Sequence, residues 1–215
     1  MERDSERKLI ITEDIAQAAV DLFLEVRPHT IALAGGNTPR PVYEALAKAP
    51  YAWSSLHVFF TDERCVPPDH PDSNFRMVNE ALLSKVPAQV HAMAEDCNAI
   101  SYEAELRKVF SFESIPQFDV IFLGLGAEGH TASLFPGDPA LEERTRLVTE
   151  VIRPDHKRLT LTLPVLSAAK VAAFLVSGAS KRGALKSLLA GDDSPAARVA
   201  AQRTIVIADR AAHAG

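Results

Sequence analysis

The sequence predicts an α/β protein with a mainly parallel sheet covered by helices on both faces, in one domain spanning 1–215. Short β-branched runs alternate along the chain with amphipathic stretches of helical period, which is typical of βα units. Glycine-rich turns follow several of these runs and open helices. Internal repeats, low-complexity segments and long linkers are absent from the sequence, so a single domain is the simplest interpretation.

The predicted strands are short and apolar. They lie at 9–11, 30–34, 57–61, 118–125, 159–163, 171–177 and 204–208. Between them, helical periodicity predicts a first helix capped by Thr12, a second capped by Thr38, a third opened by Ser73, and later helices at 100–110 and 180–190, the last closed by Gly191. In such sheets, ligands bind beyond the carboxyl ends of the strands, so we expect the catalytic and binding residues in the loops that follow the strands.

Composition excludes several classes of protein. The net charge is −5 with scattered Lys and Arg, which argues against nucleic-acid binding. The apolar runs are too short for a membrane span, and Met1–Lys8 has no apolar stretch behind it that would make a secretory signal, so we expect a cytoplasmic protein that binds no membrane. Cys65 and Cys97 form no Cys-x-x-Cys pair, so we expect two small, partly buried thiols rather than a zinc site or a disulfide framework.

The first unusual strand end is the turn at 34–39, Ala-Gly-Gly-Asn-Thr-Pro. Gly35 and Gly36 allow the backbone to approach a ligand, and a glycine turn that opens a helix is typical of an anion site. The turn matches neither a P-loop nor a dinucleotide fingerprint. It is interpreted as a phosphate site or, alternatively, as a tight turn with a helix cap.

Charged residues follow the third strand directly. Asp62, Glu63 and Arg64 stand where a ligand is expected, and the planar guanidinium of Arg64 suits a phosphate or an oxyanion. A surface turn with a local ion pair is the alternative.

Three glycines and a histidine follow the most apolar strand, in Gly124-Leu125-Gly126-Ala127-Glu128-Gly129-His130. This places His130 at the mouth of the sheet, where a neutral imidazole can act as a general base. The other six histidines stand in contexts typical of structural or exposed side chains. A fourth segment, 176–182, places Lys181 in the first turn of a helix, where the dipole disfavours a cation and a bound phosphate would offset that cost.

Together these segments resemble the 6-phosphogluconolactonase family. The resemblance rests on G-G-N-T-P-R at 35–40, T-D-E-R-x-V at 61–66, D-S-N-F-R-M at 72–77, G-H-T-A-S-L-F-P at 129–136, R-L-T-L-T at 158–162 and G-A-S-K at 178–181. It implies a Rossmann-like fold and hydrolysis of 6-phospho-D-glucono-1,5-lactone to 6-phospho-D-gluconate in the oxidative pentose phosphate pathway, without metal or cofactor. The implied partner is this small phosphosugar lactone, and the chain is expected to be a monomer or a small homo-oligomer.

By this resemblance, His130 is the general base and Arg64 the cation beside the reacting carbonyl or the phosphate. Glu128 is the carboxylate beside the histidine, although the family usually has aspartate there. The expected phosphate- and substrate-binding residues are Gly35, Gly36, Asn37, Thr38, Asp62, Asn74, Arg158 and Lys181.

Two alternatives share the family resemblance. Glucosamine-6-phosphate deaminases carry an Asn-Glu pair after the histidine, where this chain has Leu134 and Phe135. They also carry Asp-Glu-Tyr after the third strand, where this chain has an Asp-Glu-Arg sequence that ends at Arg64. A non-catalytic sugar-phosphate effector domain would need a DNA-binding motif before the glycine turn, and those residues are already used by a strand and a helix. Both comparisons favour the lactonase.

A lactonase mechanism needs an activated water and donors for the oxyanion. His130 fits the base, and Arg64 or the backbone amides of 126–130 are the candidate donors. Ser133 lies three residues on, but the G-x-S-x-G pattern of a nucleophilic serine is absent around it.

Overall fold

The computed structural model describes residues 7–93, 96–110 and 115–213. These residues build a central seven-stranded sheet in which every neighbouring pair is parallel. Its strands are β1 (Arg7–Ile11), β2 (Thr30–Leu33), β3 (His57–Phe60), β5 (Gln89–Val90), β6 (Val120–Gly124), β9 (Val171–Val176) and β10 (Arg203–Ala208), in the order β1-β10-β9-β6-β2-β3-β5.

A smaller antiparallel sheet lies beyond the carboxyl end of β3. It consists of β4 (Asp62–Arg64), β8 (Lys157–Leu161) and β7 (Val148–Ile152), in that order. The predicted strand at 159–163 was expected in the parallel sheet; this expectation is wrong, because the segment forms a hairpin with β7, which the sequence analysis did not predict. The hairpin turn closes with the amide of Arg153 donating to the carbonyl of His156 over 3.2 Å.

The five predicted helices form in the predicted order, and two short helices that were not predicted, at 163–168 and 210–213, accompany them. The helices are α1 (Ile15–Val26), α2 (Pro39–Leu46), α3 (Asn74–Ala81), α4 (Ala99–Val109), α5 (Leu163–Ala168), α6 (Arg182–Ala190) and α7 (Arg210–His213). Ser73 caps α3 as predicted, and Gly191 closes α6 in the left-handed region with φ 68°. The cap of α1 is Asp14 rather than Thr12, because the Asp14 carboxylate accepts from the Gln17 amide.

The chain reverses its direction of winding between β2 and β6. From β2 it proceeds to β3 and β5 on one side, and from β6 it proceeds to β9 and β10 on the other. With right-handed crossovers, this reversal places the connecting helices on both faces, which agrees with complete burial of all six β9 residues. The predicted fold class is confirmed, and the adjacent β2 and β6 ends form the crevice where ligands bind in such sheets.

The prediction of two free thiols is wrong. Cys65 and Cys97 form a disulfide, with Cα atoms 5.4 Å apart. The end of β4 and the segment before α4 meet only in the tertiary structure, so spacing along the sequence did not indicate the pairing.

Helices long and apolar enough to cross a membrane are absent from the described part of the chain.

Candidate active site

A cavity of about 210 Å³ opens at the carboxyl ends of β2 and β6, where the winding reverses. Loops after β2, β6 and β9 line it, together with side chains of β4 and β8. The predicted site residues that line it are Gly35, Gly36, Asn37, Thr38, Asp62, Arg64, Asn74, His130, Arg158 and Lys181. Glu128 is absent from this lining but contacts His130.

The turn after β2 needs glycine because another side chain occupies its space. A Cβ on Gly35 would lie 1.7 Å from Oδ1 of the buried Asn74. The Asn74 amide in turn donates to the backbone carbonyl of Asp62 over 2.9 Å and lies 3.4 Å from its carboxylate. Gly35 therefore brings the turn, α3 and β4 together at one wall of the cavity.

Thr38 is the N-cap residue of α2, as predicted, but it caps the helix by position alone. Its side chain accepts no capping hydrogen bond from the described residues of α2, and Pro39 is the first helical residue, as predicted. The Thr38 side chain is thus not committed to the helix and lines the cavity.

Asp62 and Glu63 are buried rather than exposed as a surface turn would require. The Asp62 carboxylate accepts from Ser133 Oγ over 2.6 Å. Glu63 accepts the amides of Arg64, Asn74 and Phe75 over 2.6–2.7 Å. Burial raises the pKa of Glu63, and these amides act in the opposite direction.

Glu63 and Ser133 hold the site together, although neither was predicted to have a role there. Glu63 joins β4 to the amino terminus of α3, and Ser133 joins the loop after β6 to Asp62. Both residues lie inside motifs that carry the family resemblance, and this was the available signal.

Arg64 and Arg158 are direct partners across the β4–β8 ladder, so their side chains share one face. Both line the cavity, and each has a buried Nε that is without a hydrogen-bond partner among the described residues. Arg64 Nη1 donates to the Asp72 carbonyl over 2.6 Å, and Arg158 Nη2 donates to Asp155 over 2.5 Å. Like charges directly opposite one another are destabilising unless an anion lies between them.

His130 is held by the glycine turn after β6. A Cβ on Gly126 would lie 2.0 Å from His130 Nδ1, so only glycine leaves room for the ring. Within the turn, the Gly126 amide donates to the His130 carbonyl over 2.8 Å and the Gly129 amide to the Gly126 carbonyl over 3.0 Å. These two amides are therefore already used.

The Glu128 carboxylate lies 3.0 Å from His130 Nδ1, in direct contact with that edge of the imidazole ring. Partial burial alone would raise the pKa of Glu128. Its own backbone amide, His130 and Lys181 outweigh this effect, so the pKa lies below its usual value. Glu128 is therefore ionised beside the imidazole at neutral pH.

The aromatic ring of Phe135 packs against residues of the site, and this role was not predicted from the sequence. Its ring centroid lies 4.5 Å from that of His130, and the Arg153 guanidinium lies over the same ring at 4.1 Å. The Arg158 guanidinium lies 5.5 Å from the same centroid, so Phe135 is a common neighbour of His130 and Arg158.

Lys181 is the cap residue of α6 rather than part of its first turn, since a short 3-10 turn, Ala179–Lys181, precedes the helix. The turn itself is fixed by Asp209, which accepts from Ser177 Oγ over 2.6 Å and from the Gly178 amide over 2.9 Å. This arrangement places the lysine at the edge of the cavity.

Groups of three or more His, Cys, Asp or Glu side chains able to hold a metal ion are absent from the described residues. Metal independence stays a prediction to be tested in solution.

Comparison with known proteins adds a separate line of evidence. The model of the family described as glucosamine-6-phosphate isomerases/6-phosphogluconolactonase matches residues 4–207. A 6-phosphogluconolactonase of Synechocystis sp. is 47% identical over 176 residues, which cover 77% of this chain and 73% of that protein.

Solved structures agree with the fold. The crystal structure of 6-phosphogluconolactonase from Thermotoga maritima has a TM-score of 0.85 at 31% identity and covers 95% of this chain and 100% of its own. A monomeric glucosamine-6-phosphate deaminase has a TM-score of 0.80 at 21% identity, covering 96% of this chain and 98% of its own. At that identity, the second likeness concerns the fold alone.

Proposed function

We propose that this chain, which belongs to the family of glucosamine-6-phosphate isomerases and 6-phosphogluconolactonases, hydrolyses 6-phospho-D-glucono-1,5-lactone to 6-phospho-D-gluconate. The observation that carries the proposal is the pair of facing arginines, Arg64 and Arg158, in a cavity that also holds His130 and Lys181. This set combines a site for an anionic substrate with a base that can activate water.

The phosphate group of the substrate is assigned to the side of the cavity formed by the turn after β2. Lys181, Arg64 and the turn at 35–38 all line the cavity, and the contact of Gly35 with Asn74 places the turn beside β4. Cations and backbone amides at a helix start are the usual ligands of phosphate. Binding the phosphate there would hold the lactone in register, so that remote binding energy orients the reacting end.

Water activation is assigned to His130. Its Nδ1 packs against Gly126 and Glu128, which leaves Nε2 as the nitrogen for the attacking water. Nε2 takes a proton as the water oxygen bonds to the lactone carbonyl carbon, and the ionised Glu128 stabilises the imidazolium that forms. When the tetrahedral intermediate collapses, the ring oxygen leaves and receives that proton, which yields the hydroxy acid.

The oxyanion is assigned to Arg158. The amides of Gly126 and Gly129 are already donated within their turn, which weakens the alternative of backbone donors. Arg158 lies over the Phe135 ring that also contacts His130, and it is only 11% exposed. A buried, pre-positioned guanidinium stabilises developing negative charge more strongly than a solvated one.

The deaminase alternative needs proton-carrying side chains after the histidine. Leu134 is fully buried and Phe135 is the aromatic ring that packs against His130, so neither can serve ring opening. This observation favours the lactonase over the deaminase. We further propose that the reaction belongs to the oxidative pentose phosphate pathway and takes place in the cytoplasm, on the family membership alone.

The test follows acid release from freshly made 6-phosphogluconolactone in weak buffer, with enzyme-free blanks at each pH. We expect saturable hydrolysis well above the blank, and no ammonia from glucosamine 6-phosphate. Unphosphorylated glucono-1,5-lactone at the same concentration is the matched substrate and should react much more slowly. Ammonia release would establish the deaminase instead, and tight phosphosugar binding without turnover would indicate a non-catalytic effector domain.

A further inference from the structure

We propose that the Cys65–Cys97 disulfide is a reversible redox site that controls substrate binding through Arg64. These are the two cysteines of the chain, and they are joined at the rim of the candidate active site. The expected effect on substrate binding rests on the proposed function, whereas the redox chemistry does not.

Cys65 continues the strand that carries Arg64. Its amide donates to the Lys157 carbonyl over 2.8 Å, which extends the β4–β8 ladder by one residue beyond the facing arginines. A movement of the Cys65 backbone is therefore passed directly to Arg64.

Cys97 lies at the start of another element. It precedes Asn98, whose side chain caps α4 by accepting the Ile100 amide over 2.9 Å. Cys97 has φ 47°, in the left-handed region that few residues other than glycine adopt. A covalent bond to Cys65 holds it in this conformation.

The pair is accessible to a small thiol. Both cysteines are half-buried and line a cavity of about 450 Å³, separate from the site cavity but sharing Arg64 with it. An external dithiol can thus reach the sulfur atoms beside the residue that is assigned to the phosphate.

The chemistry is thiol–disulfide exchange with an external dithiol. A thiolate of the dithiol attacks one sulfur of the Cys65–Cys97 bond, a mixed disulfide forms, and the second thiol of the reagent displaces the remaining cysteine. The protein gains two hydrogen atoms, and the dithiol leaves as its own cyclic disulfide. The reverse exchange restores the bond, so no other oxidant is needed.

The bond closes a loop that contains the support of Arg64. Asp72, whose carbonyl accepts from Arg64, and Asn74, at the start of α3, both lie between the two cysteines. His130 lies outside this loop, on the turn after β6. Reduction should therefore loosen phosphate binding by Arg64 and raise KM, while kcat changes little.

The experiment equilibrates the full chain in buffers of reduced and oxidised dithiothreitol, blocks free thiols with a maleimide, and measures adduct mass, Tm and lactonase kinetics. We expect an intramolecular disulfide in the oxidised buffer and two adducts in the reduced one. Reduction should lower Tm by about 5 °C or more and raise KM roughly fivefold, reversibly.

The double variant Cys65→Ser/Cys97→Ser is the control. It should match the reduced wild type in KM and Tm, and both values should be the same in the reduced and the oxidised buffer. Reduced wild-type protein supplies the same comparison without mutation, should the variant fold poorly.

Three results would overturn the proposal: free thiols in the oxidised buffer, a disulfide that the dithiol does not open in the native protein, or equal KM in the two redox states. The mass and Tm measurements need no substrate, so failure of the redox site is distinguishable from failure of the proposed lactonase activity.

Discussion

The position of the His130 imidazole depends on three neighbouring residues. The glycine at 126 gives the imidazole its space, the Glu128 carboxylate lies 3.0 Å from Nδ1, and Phe135 supports the ring from the side. Of these neighbours only Glu128 can accept a proton, and it lies outside the described lining of the cavity. The residue-scale expectation is therefore that turnover depends on one imidazole.

Replacing His130 with Asn should lower kcat by about 10²–10⁴-fold, because the amide is polar and of similar size but cannot accept the proton of water. Phosphate binding should persist, so KM should change much less. Lactonase kinetics with blanks for spontaneous hydrolysis measure kcat and KM, and circular dichroism checks the fold. A folded variant with near wild-type kcat would remove His130 from the chemistry.

Replacing Lys181 with Ala should raise KM more than it lowers kcat, because the lysine is assigned to the phosphate and not to the carbonyl. Lys186→Ala is the matched control, since Lys186 is an exposed lysine on the same helix that lines no part of the site cavity among the described residues. Kinetics at moderate ionic strength compare the two variants. An unchanged KM in Lys181→Ala would contradict the phosphate assignment.

At the scale of elements, short turns determine where the reactive side chains lie. The turn after β6 encloses His130 through hydrogen bonds between Gly126 and His130 and between Gly129 and Gly126. The turn from β4 to α3 is held by a buried carboxylate, Glu63, that accepts three backbone amides. Rigid turns of this kind place catalytic groups more exactly than mobile loops do.

Gly126→Ala should lower kcat by about tenfold or more, because the new methyl group would lie 2.0 Å from the His130 ring and must displace it. Gly183→Ala is the matched control, because a Cβ there meets no described atom within 4 Å. In helix α6 the control should leave activity unchanged and raise stability by about 0.5–1 kcal/mol. Parallel kinetics and urea unfolding measure these effects, and full activity in Gly126→Ala would show that the ring position is not critical.

The turn that leads into β7 predicts a pH dependence of stability. Backbone amides of Arg146 and Thr145, and the Thr145 hydroxyl, lower the pKa of Glu143 from 4.5 to about 2. A lowered carboxyl pKa stabilises the fold above the unfolded value near 4.5, and this contribution is lost as pH falls towards 2. Because Glu143 is only half-buried, solvent screening reduces the contribution to about 1 kcal/mol.

Glu143→Gln removes the titrating group. The wild type should be more stable than this variant by about 1 kcal/mol at pH 6, and the difference should shrink steadily below pH ~4. Urea unfolding at a series of pH values tests this, and a constant difference across the range would contradict it.

At the scale of the whole molecule, the site is assembled where two sheets meet. The parallel sheet contributes the glycine turns, the histidine and the lysine, and the antiparallel sheet contributes the two arginines. The described residues lack a cluster of three metal-ligating side chains, and the assigned groups supply both the base and the oxyanion donor.

Activity should therefore survive exhaustive dialysis against EDTA, because no assigned step uses a divalent ion. The lactonase assay before and after dialysis measures this, with addition of Mg²⁺, Mn²⁺ or Zn²⁺ as the control. Loss of activity that one of these ions restores would contradict the metal-free mechanism.

Most of the parallel sheet could be predicted from the sequence, since apolar strands, helix periodicity and glycine turns are local signals. The motif resemblance is confirmed by the family match across residues 4–207. The cap of α1 and the start of α6 differ from the predicted positions by two residues, because several polar residues near a helix end compete for the same amides.

The sequence by itself determined most strands of the parallel sheet, the family resemblance and the residues at the strand ends, because each depends on neighbours along the chain. Only the tertiary structure decided that Arg64 faces Arg158, that Asp62 and Glu63 are buried, and that Cys65 meets Cys97. These features depend on strand pairing and burial between segments far apart in the chain. The β4–β8 ladder creates a destabilising pair of like charges that local propensity would not predict, and the anionic substrate proposed for this site would offset their repulsion.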